Sequence, residues 1–384
     1  LIPIGHEIAQ EQFRLPLETE KDSYEASGKA LGWKAENGKV VVSSSNVYFE
    51  LDKATGMVTS YKVNGTEFFD KAFGVQPNFW RAPNDNDYGN SNPKRLQIWK
   101  ESSRDFKVSD TAVREEGETV LMSVTYDLPA GNQYLITYRI YRDGVVNVNV
   151  KFTQTDREAE KTEVLEDTNL ATFTPGKKVK KKDVFEVPRI GVRFRIPHVM
   201  NRVEYFGRGP VENYVDRNAG SMVGRYKTSV EEMYVNYVRP QENGHRTDTR
   251  WVSFTNTVGR GLLVLAEKTI GFNALRNTVE DFDSEESSHP YQWRNRSPKE
   301  VAGKNEAEAK NVLRRMTHVN DITPRDFVEV CIDMKQQGVA GYDSWGAKVQ
   351  PGYTIPANRD YVWGFTLIPI KNVGDVNKSL RYTY

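Results

Sequence analysis

The sequence predicts an all-β protein, and three observations support this. Aromatic residues are plentiful, with 7 Trp, 19 Tyr and 17 Phe among 384 residues, and such side chains suit half-buried strand surfaces. Short runs rich in β-branched and aromatic residues recur along the chain, separated by clusters of Gly, Pro, Asn and Asp. Helical periodicity is scarce. This combination favours a β sandwich over a fold that alternates strands and helices.

Two hairpins carry the clearest local signals. Residues 134–141 and 145–150 are alternating runs rich in β-branched and aromatic residues, on either side of the dipeptide Asp143-Gly144. An Asp-Gly pair between two such runs is a strong hairpin signal, because both turn positions tolerate a positive φ. Residues 47–51 and 57–63 form a second pair of runs around a five-residue turn.

Further strands are expected throughout the chain. Cys331 lies in one of them and is expected to be a small buried apolar residue, because free cysteines are usually buried. The charged, Ala-containing stretch 298–315 is expected to be a solvated helix or a loop insertion. The remaining predicted strands are residues 119–126, 190–196, 203–206, 251–255, 261–267, 328–334 and 361–367.

The charge balance excludes several classes of partner. Because 53 basic and 52 acidic residues leave a formal net charge of +1, no large field of one sign exists to hold nucleic acid or an anionic membrane. The lysine-rich residues 177–182 are therefore expected to form a solvated loop. No run approaches 18 apolar residues, and residues 1–17 are too charged for a signal peptide. The compartment of a soluble chain, cytoplasm or periplasm, is not encoded.

Composition along the chain indicates four segments. Residues 1–17 resemble the end of a preceding domain, and residues 18–29 are a polar linker without periodicity. Residues 30–370 show no second linker and are expected to form one large domain, followed by a tail at 371–384. The chain opens without Met, in what looks like a strand, so we expect a fragment of a longer protein.

Familiar catalytic and metal-binding motifs are not found in the sequence. The five histidines are far apart and have no metal-ligand spacing, and no Gly-x-Ser-x-Gly or phosphate-binding loop occurs. Residues 84–89 suggest a calcium loop, but Tyr88 and Arg95 occupy positions that require oxygen ligands. They are expected to form a polar loop that bonds sugar hydroxyls or caps backbone groups.

Three regions combine Gly, Pro, aromatic and charged residues at high density. They are residues 78–87, residues 205–217 together with 239–246, and residues 341–346. Aromatic faces pack on the apolar side of a sugar ring, and amides, carboxylates and Arg forks pair with its hydroxyls. The alternative is structural, because Arg–carboxylate networks also fasten long loops to a sandwich.

Together these regions closely resemble the C-terminal, small-chain region of the long-chain β-galactosidases of glycoside hydrolase family 2. The matching segments are FWRAPNDND at 79–87, GRGPVENYVDR at 207–217, PQENGHR at 240–246 and GYDSW at 341–345, and their order is that of the family. The resemblance covers nearly the whole chain and is thinnest at 277–312, which we interpret as an insertion, and after residue 371.

The resemblance implies a galactose-mutarotase-like supersandwich for residues 30–370, preceded by the last strand of an immunoglobulin-like domain. It also implies a parent enzyme that hydrolyses terminal β-D-galactosides with retention, through two glutamates on a (β/α)₈ barrel upstream of Leu1. Such a barrel needs about 250 residues of alternating strands and helices, which this chain lacks. We therefore expect no catalytic residue here and no activity from the fragment alone.

The resemblance also implies roles for single residues. Trp345 matches a tryptophan that stacks on the sugar in the leaving-group part of the site. Glu242, Asn243 and Arg246 match a mobile loop at the border of the same pocket and are expected to position substrate. Glu212 is expected to be structural, because both catalytic glutamates belong to the barrel.

Two departures concern the outer part of the site. Tyr342 stands where small or acidic residues also occur in the family, and His245 occupies the variable place of its loop, so the preferred leaving group is left open. No cofactor is expected in this chain, since the magnesium and sodium of the family belong to the barrel region. The expected partners are the upstream barrel and immunoglobulin-like domains and a galactoside, within a homo-oligomeric parent.

Two alternatives remain from the residues alone. One is a free-standing sugar enzyme of the mutarotase or lyase kind, which requires a His and a carboxylate at a sugar site. The other is a carbohydrate-binding module that acts alone.

Overall fold

The computed structural model describes residues 3, 5–6, 8–15, 17, 19–154, 186–283, 318–343 and 346–384, with the backbone of 163–165 and 178–180. The strands are β1 Asp22–Ser23, β2 Gly32–Glu36, β3 Lys39–Ser43, β4 Val47–Asp52, β5 Val58–Val63, β6 Thr66–Glu67, β7 Gln76–Asn78, β8 Lys107–Glu116, β9 Thr119–Asp127, β10 Gln133–Ile140, β11 Val146–Thr153, β12 Glu163–Leu165, β13 Lys178–Lys180, β14 Arg189–Pro197, β15 Arg202–Gly209, β16 Met222–Ser229, β17 Arg246–Thr255, β18 Gly261–Leu275, β19 Phe327–Gln336, β20 Tyr361–Ile370 and β21 Tyr382–Thr383. The helices are α1 Asp85–Gly89, α2 Asn92–Arg95, α3 Gln97–Ser102, α4 Val230–Met233, α5 Val279–Phe282 and α6 Gly374–Ser379.

A branched sheet of twelve strands forms most of the protein. Nine strands follow the order β16-β15-β17-β18-β20-β11-β10-β9-β8, and β19, β14 and β7 branch from β18. The branch arises because β18 is 15 residues long. Its first part pairs with β20 and its last part with β19, and the residues between them, 267–269, are exposed. One strand thereby ties two parts of the sheet together.

A second sheet with the order β2-β3-β4-β5-β6 packs against the first. The Tyr61 hydroxyl donates to Gly144 O at 2.6 Å, and the Tyr126 hydroxyl donates to Gly56 O at 2.7 Å. Between these bonds the rings of Phe49 and Tyr138 lie 5.5 Å apart. Aromatic side chains therefore fill the space between the sheets, and their polar ends reach backbone carbonyls, as buried hydroxyls require.

The all-β prediction is confirmed, and both predicted hairpins form. Tyr138 pairs with Val148 across β10 and β11, and Phe49 with Tyr61 across β4 and β5. In β10 the buried positions alternate with partly exposed ones, as expected for one face on a core. Cys331 is also buried, as predicted.

The expectation of a polar loop at residues 84–89 is wrong, because α1 begins there, whereas the backbone capping expected of these residues is confirmed. Asn84 accepts a hydrogen bond from the Asp87 N–H at 2.9 Å, and the Asp87 carboxylate accepts the Asn84 N–H at 3.0 Å. This reciprocal capping satisfies two N–H groups that a helix start leaves unpaired. A stretch of Asn and Asp without apolar periodicity therefore starts a helix.

The residues assigned by sequence to a linker and a tail contact each other. Strand β1 pairs in parallel with β21, and the ring of Tyr24 lies 4.4 Å from that of Tyr384. Nearer the start of the chain, the described residues before β1 form no strand. There the Gln12 side chain donates to Val223 O and accepts from Val223 N, both at 2.7 Å, on the edge strand β16.

Some expectations fall outside the described residues. The insertion at 277–312 is described only as far as residue 283, and the stretch 298–315 lies beyond it. Of the lysine-rich residues 177–182, only the backbone of β13 is described, paired with β12. Among the described residues, no helix combines the length and apolar character needed to cross a membrane.

The aromatic core predicts a strong dependence of stability on Phe79. Its ring is fully buried and packs 4.9 Å from that of Tyr134 and 5.9 Å from that of Trp99. We expect Phe79→Ala to lower the free energy of unfolding by about 3–5 kcal/mol, measured by urea denaturation. Phe13→Ala makes the same substitution at an 81% exposed ring and should change it by less than about 0.5 kcal/mol. Equal losses would contradict the assigned core.

Candidate functional site

The four sequence motifs meet in one region of the fold. We use the term motif cluster for residues 81–90, 212–217, 239–246 and 338–347, of which 344–345 lie outside the described part. Its segments come from the start of α1, the turn after β15, the loop before β17 and the loop after β19. Hydrogen bonds between them involve mostly side chains on one segment and backbone on the next.

The first segment is organised by a buried ion pair. Arg81 reaches Asp87 through two contacts, Nη1–Oδ2 at 2.8 Å and Nη2–Oδ1 at 3.0 Å, and both side chains are buried. Burial raises the pKa of Asp87, and the Arg81 charge opposes that rise. A two-pronged contact of this kind fixes the direction of Arg81 as well as its position.

From this position the first segment fastens the fourth. Arg81 Nη2 donates to Gly338 O at 3.2 Å, and Asn84 Nδ2 donates to Val339 O at 3.1 Å. At the far side of the loop, Asn90 Nδ2 donates to Ala347 O at 3.1 Å. Both ends of residues 338–347 are therefore bonded to the α1 region.

The second segment fastens the third. Glu212 accepts the Gly244 N–H at 2.8 Å and a bond from Arg217 Nη2 at 2.8 Å. Asn213 is fully buried and accepts from both the N–H and the hydroxyl of Thr247. The Glu212 carboxylate is thus engaged in holding a loop, in keeping with the structural role expected for it.

Three of the four predicted site residues lie in the interior. Glu242, Asn243 and Arg246 are 6%, 2% and 3% exposed. Asn243 accepts the Val235 N–H at 3.1 Å, and Arg246 Nε donates to the Tyr205 hydroxyl at 3.1 Å. The structure thus brings these three residues together, and their side chains form hydrogen bonds or ion pairs with other protein groups. Their role as sugar contacts stays a prediction.

Trp345 lies outside the described residues, so its predicted stacking on a sugar also stays a prediction. The described residues beside it show how its segment is mounted. Gly346 lies so close to Gly89 that an added Cβ would be 2.4 Å from the Gly89 carbonyl carbon. Tyr342 lies three residues before Trp345 and is 64% exposed. Residues 338–347 therefore present at least one aromatic ring to solvent.

Arg–carboxylate contacts at the motif loops were the structural alternative in the sequence analysis, but the buried arginine beneath the cluster was not predicted. Arg189 on β14 is completely buried and contacts Glu242 at 3.0 Å and Asp333 at 3.3 Å. Its Nη1 also donates to Trp80 O at 3.3 Å. His245 lies 3.8 Å from Asp333. The sequence did not indicate Arg189 as a site residue, because it lies outside all four motifs and beside residues 190–196, which show only the pattern of a strand.

The buried charges shift one another's ionisation. Burial raises the pKa of Asp333 to about 7, against the opposing charge of Arg189. Burial also raises the pKa of Glu242. The pKa of His245 is well below its usual range, through burial first and then the nearby Arg charges. The His245 imidazole is therefore neutral, and Arg189 is the cation that Glu242 and Asp333 contact.

A small pocket borders this network. Its volume is about 270 Å³ when the solvent-filled entrance is included. Its lining includes Asn243, Asn273, Glu329 and Cys331. Its free space holds about one water molecule, far less than a sugar ring needs. Among the described residues, no group of three or more His, Cys, Asp or Glu side chains is placed to hold a metal ion.

Comparison with known proteins places the motifs in context. Residues 43–367 match the family model described as β-galactosidase small chain. The β-galactosidase of Priestia megaterium is 33% identical over 368 residues, which is 95% of this chain and 30% of that protein. The β-galactosidase of Streptococcus thermophilus is 28% identical over 371 residues, 96% of this chain and again 30% of that protein. The chain thus spans about a third of the length of these curated relatives.

Solved structures of the mutarotase type are also similar to this chain. A galactose mutarotase related enzyme from Lactobacillus acidophilus aligns with a TM-score of 0.40 and 8% identity, over 87% of this chain and 98% of that one. A galactose mutarotase-like protein from Lactobacillus casei aligns with a TM-score of 0.39 and 11% identity, over 87% and 100%.

The raised pKa of Asp333 predicts a pH-dependent stability. The pKa of Asp333 is about 7 in the folded protein, whereas an unfolded Asp titrates near about 4. Protonated Asp333 therefore stabilises the folded state. This contribution to the free energy of unfolding is greatest below about pH 4 and is lost as the pH rises through about 7. Asn does not titrate. We therefore expect the stability difference between the wild type and Asp333→Asn to decrease from about pH 5 to about pH 8, measured by urea denaturation.

Glu116 supplies the matched control. It is exposed, and bonds from Arg139 and Arg114 lower its pKa, so its titration lies below the tested window. Glu116→Gln should change stability by an amount that stays constant across this window. A constant difference for Asp333→Asn as well would contradict the assigned protonation.

Proposed function

The chain belongs to the β-galactosidase small-chain family, and on that premise we propose that it is the C-terminal part of a retaining β-galactosidase of glycoside hydrolase family 2. In this proposal the parent hydrolyses terminal β-D-galactosides, and residues 30–370 complete one wall of its sugar site and support assembly. The chemistry belongs to an upstream barrel domain. No cofactor is assigned to this chain.

The observation that carries the proposal is the mounting of residues 338–347. Arg81, Asn84 and Asn90 bond its backbone near both ends, while Tyr342 between them remains exposed. A loop fastened at its ends and aromatic near its tip suits a sugar-facing surface, because a held ring loses little entropy when a ligand stacks on it. Trp345 belongs to this segment of the sequence and is the proposed platform.

Three carboxylates of the motif cluster are engaged in holding the fold. A retaining glycosidase needs two carboxyl groups about 5 Å apart across an open sugar site. Asp87 is paired with Arg81, Glu242 with Arg189, and Glu212 with Arg217 and the Gly244 N–H. This supports the assignment of both catalytic glutamates to the upstream part of the polypeptide.

The N-terminal segment supports a partner domain in the same polypeptide. Phe13, Leu15 and Leu17 alternate along the chain and are 81%, 66% and 80% exposed. A row of exposed apolar side chains marks a surface that another part of a protein covers. We assign that role to the preceding immunoglobulin-like domain.

The buried position of His245 counts against the mutarotase-like alternative. That chemistry needs a His and a carboxylate within reach of a sugar. His245 and Asp333 are close together, but they are 1% and 0% exposed. The small pocket beside Glu242 is lined by neither of these side chains.

The proposal predicts that this chain alone does not hydrolyse a chromogenic β-galactoside, because neither catalytic glutamate belongs to it. The measurement is release of nitrophenol by the purified 384-residue chain. The polypeptide that includes the upstream domains, assayed under the same conditions, is the positive control. Turnover by the isolated chain that survives further purification would overturn the assignment.

A second prediction concerns Trp345. In the full-length polypeptide we expect Trp345→Ala to raise KM for a β-galactoside about tenfold, since loss of one stacked indole costs about 1.4 kcal/mol of binding. Trp33→Ala is the matched control, because that indole is 39% exposed on β2. Equal KM values for the two variants would remove Trp345 from the site.

A further inference from the structure

The turn that precedes Trp345 has an unusual backbone. Ala340 has φ of +55° and Gly341 has φ of +102°. A left-handed conformation is unfavourable for alanine, because its Cβ approaches the following carbonyl oxygen. Residues in such conformations persist only where surrounding contacts impose them, and they concentrate at functional sites.

The contact that imposes this conformation comes from Asp216. Its Oδ1 accepts the Val339 N–H at 3.0 Å, and its Oδ2 accepts the Ala340 N–H at 2.8 Å. Two successive N–H groups that point at one carboxylate form a small anion-binding concavity. Gly338 completes the fit, since an added Cβ there would lie 2.3 Å from Asp216 Oδ2. We use the term Asp216 clamp for this contact.

Tyr342, two residues after the clamped Ala340 N–H, is exposed and aromatic. Tyr342 is 64% exposed, whereas Tyr88 and Tyr214 in the other motif segments are buried. Gly341, beside Tyr342, lies close to α1, with Asn86 Nδ2 3.1 Å from an added Cβ. The ring therefore stands on a short turn that is held immediately before it.

We propose that Tyr342 selects the leaving group of the β-galactoside and that Asp216 is its positioning residue. This inference rests on the proposed function. An aromatic ring at the outer part of a sugar site stacks on a flat aromatic leaving group better than on a second sugar, because offset aromatic pairs contribute beyond buried area. The expected substrate class is therefore β-galactosides with aryl leaving groups.

The test uses the full-length polypeptide and compares kcat/KM for a nitrophenyl β-galactoside with kcat/KM for lactose. We expect Tyr342→Ala to lower this ratio about fivefold, as for loss of one aromatic contact. Tyr342→Phe keeps the ring and should retain the ratio. An unchanged ratio in Tyr342→Ala overturns the proposal.

Asp216→Asn tests the clamp. It should lower the same ratio about threefold to fivefold, because Asn keeps only one acceptor for two N–H groups. It should have no further effect in the Tyr342→Ala background, whereas a general loss of stability would act equally in both. Asp52→Asn is the matched control. Asp52 Oδ1 accepts the N–H groups of Ala54 and Thr55 at 2.9 and 2.8 Å in the turn after β4, and its replacement should leave the ratio unchanged.

Amide hydrogen exchange gives an independent readout of the clamp. Exchange at Val339 and Ala340 should become faster in Asp216→Asn and remain unchanged in Asp52→Asn. If Asp216→Asn does not fold, Gly338→Ala tests the same contact by crowding the carboxylate. Unchanged exchange in the clamp variant overturns its positioning role. A full-length polypeptide that hydrolyses neither substrate would instead defeat the proposed function, so the two failures are distinguishable.

Discussion

The architecture of the candidate site depends on the complete burial of one charged side chain. Arg189 is 0% exposed, and a buried charge is tolerated only where paired carboxylates and hydrogen bonds replace its water. Its partners lie on separate parts of the chain. Asp333 is on β19, Glu242 is in the loop before β17, and the Trp80 carbonyl precedes α1. Satisfying one guanidinium thus brings strands and motif loops to a common point.

A second layer of contacts transfers this order to the surface. Arg81 and Asn84 donate to the carbonyl oxygens of residues 338 and 339, and Asp216 accepts the N–H groups of residues 339 and 340. These side chains bond to backbone atoms, so they fix the path of a loop without dictating the residues at its tip. Tyr342 can therefore differ in character from the residues around it while its mount stays the same.

The strand pattern was predictable because it reflects local chemistry. Val47–Asp52 and Gln133–Ile140 alternate in sequence and in burial, and the turns beside them contain the residues that such turns require. The helix Asp85–Gly89 was not predictable from periodicity, because a capping box between Asn84 and Asp87 starts it. The site was foreseen only as a set of motifs. Nothing in the sequence separated Glu242, which is buried, from Tyr342, which is exposed.

The sequence by itself determined the all-β class, the two hairpins, the buried Cys331 and the family, because each rests on short-range pattern or on matched residues. Tertiary structure alone decided which polar residues face inward, that Arg189 joins Asp333 and Glu242, and that Asp216 holds the turn before Tyr342. These are contacts between residues far apart in the chain. Burial in such contacts depends on how the sheets pack, and no local pattern contains that information.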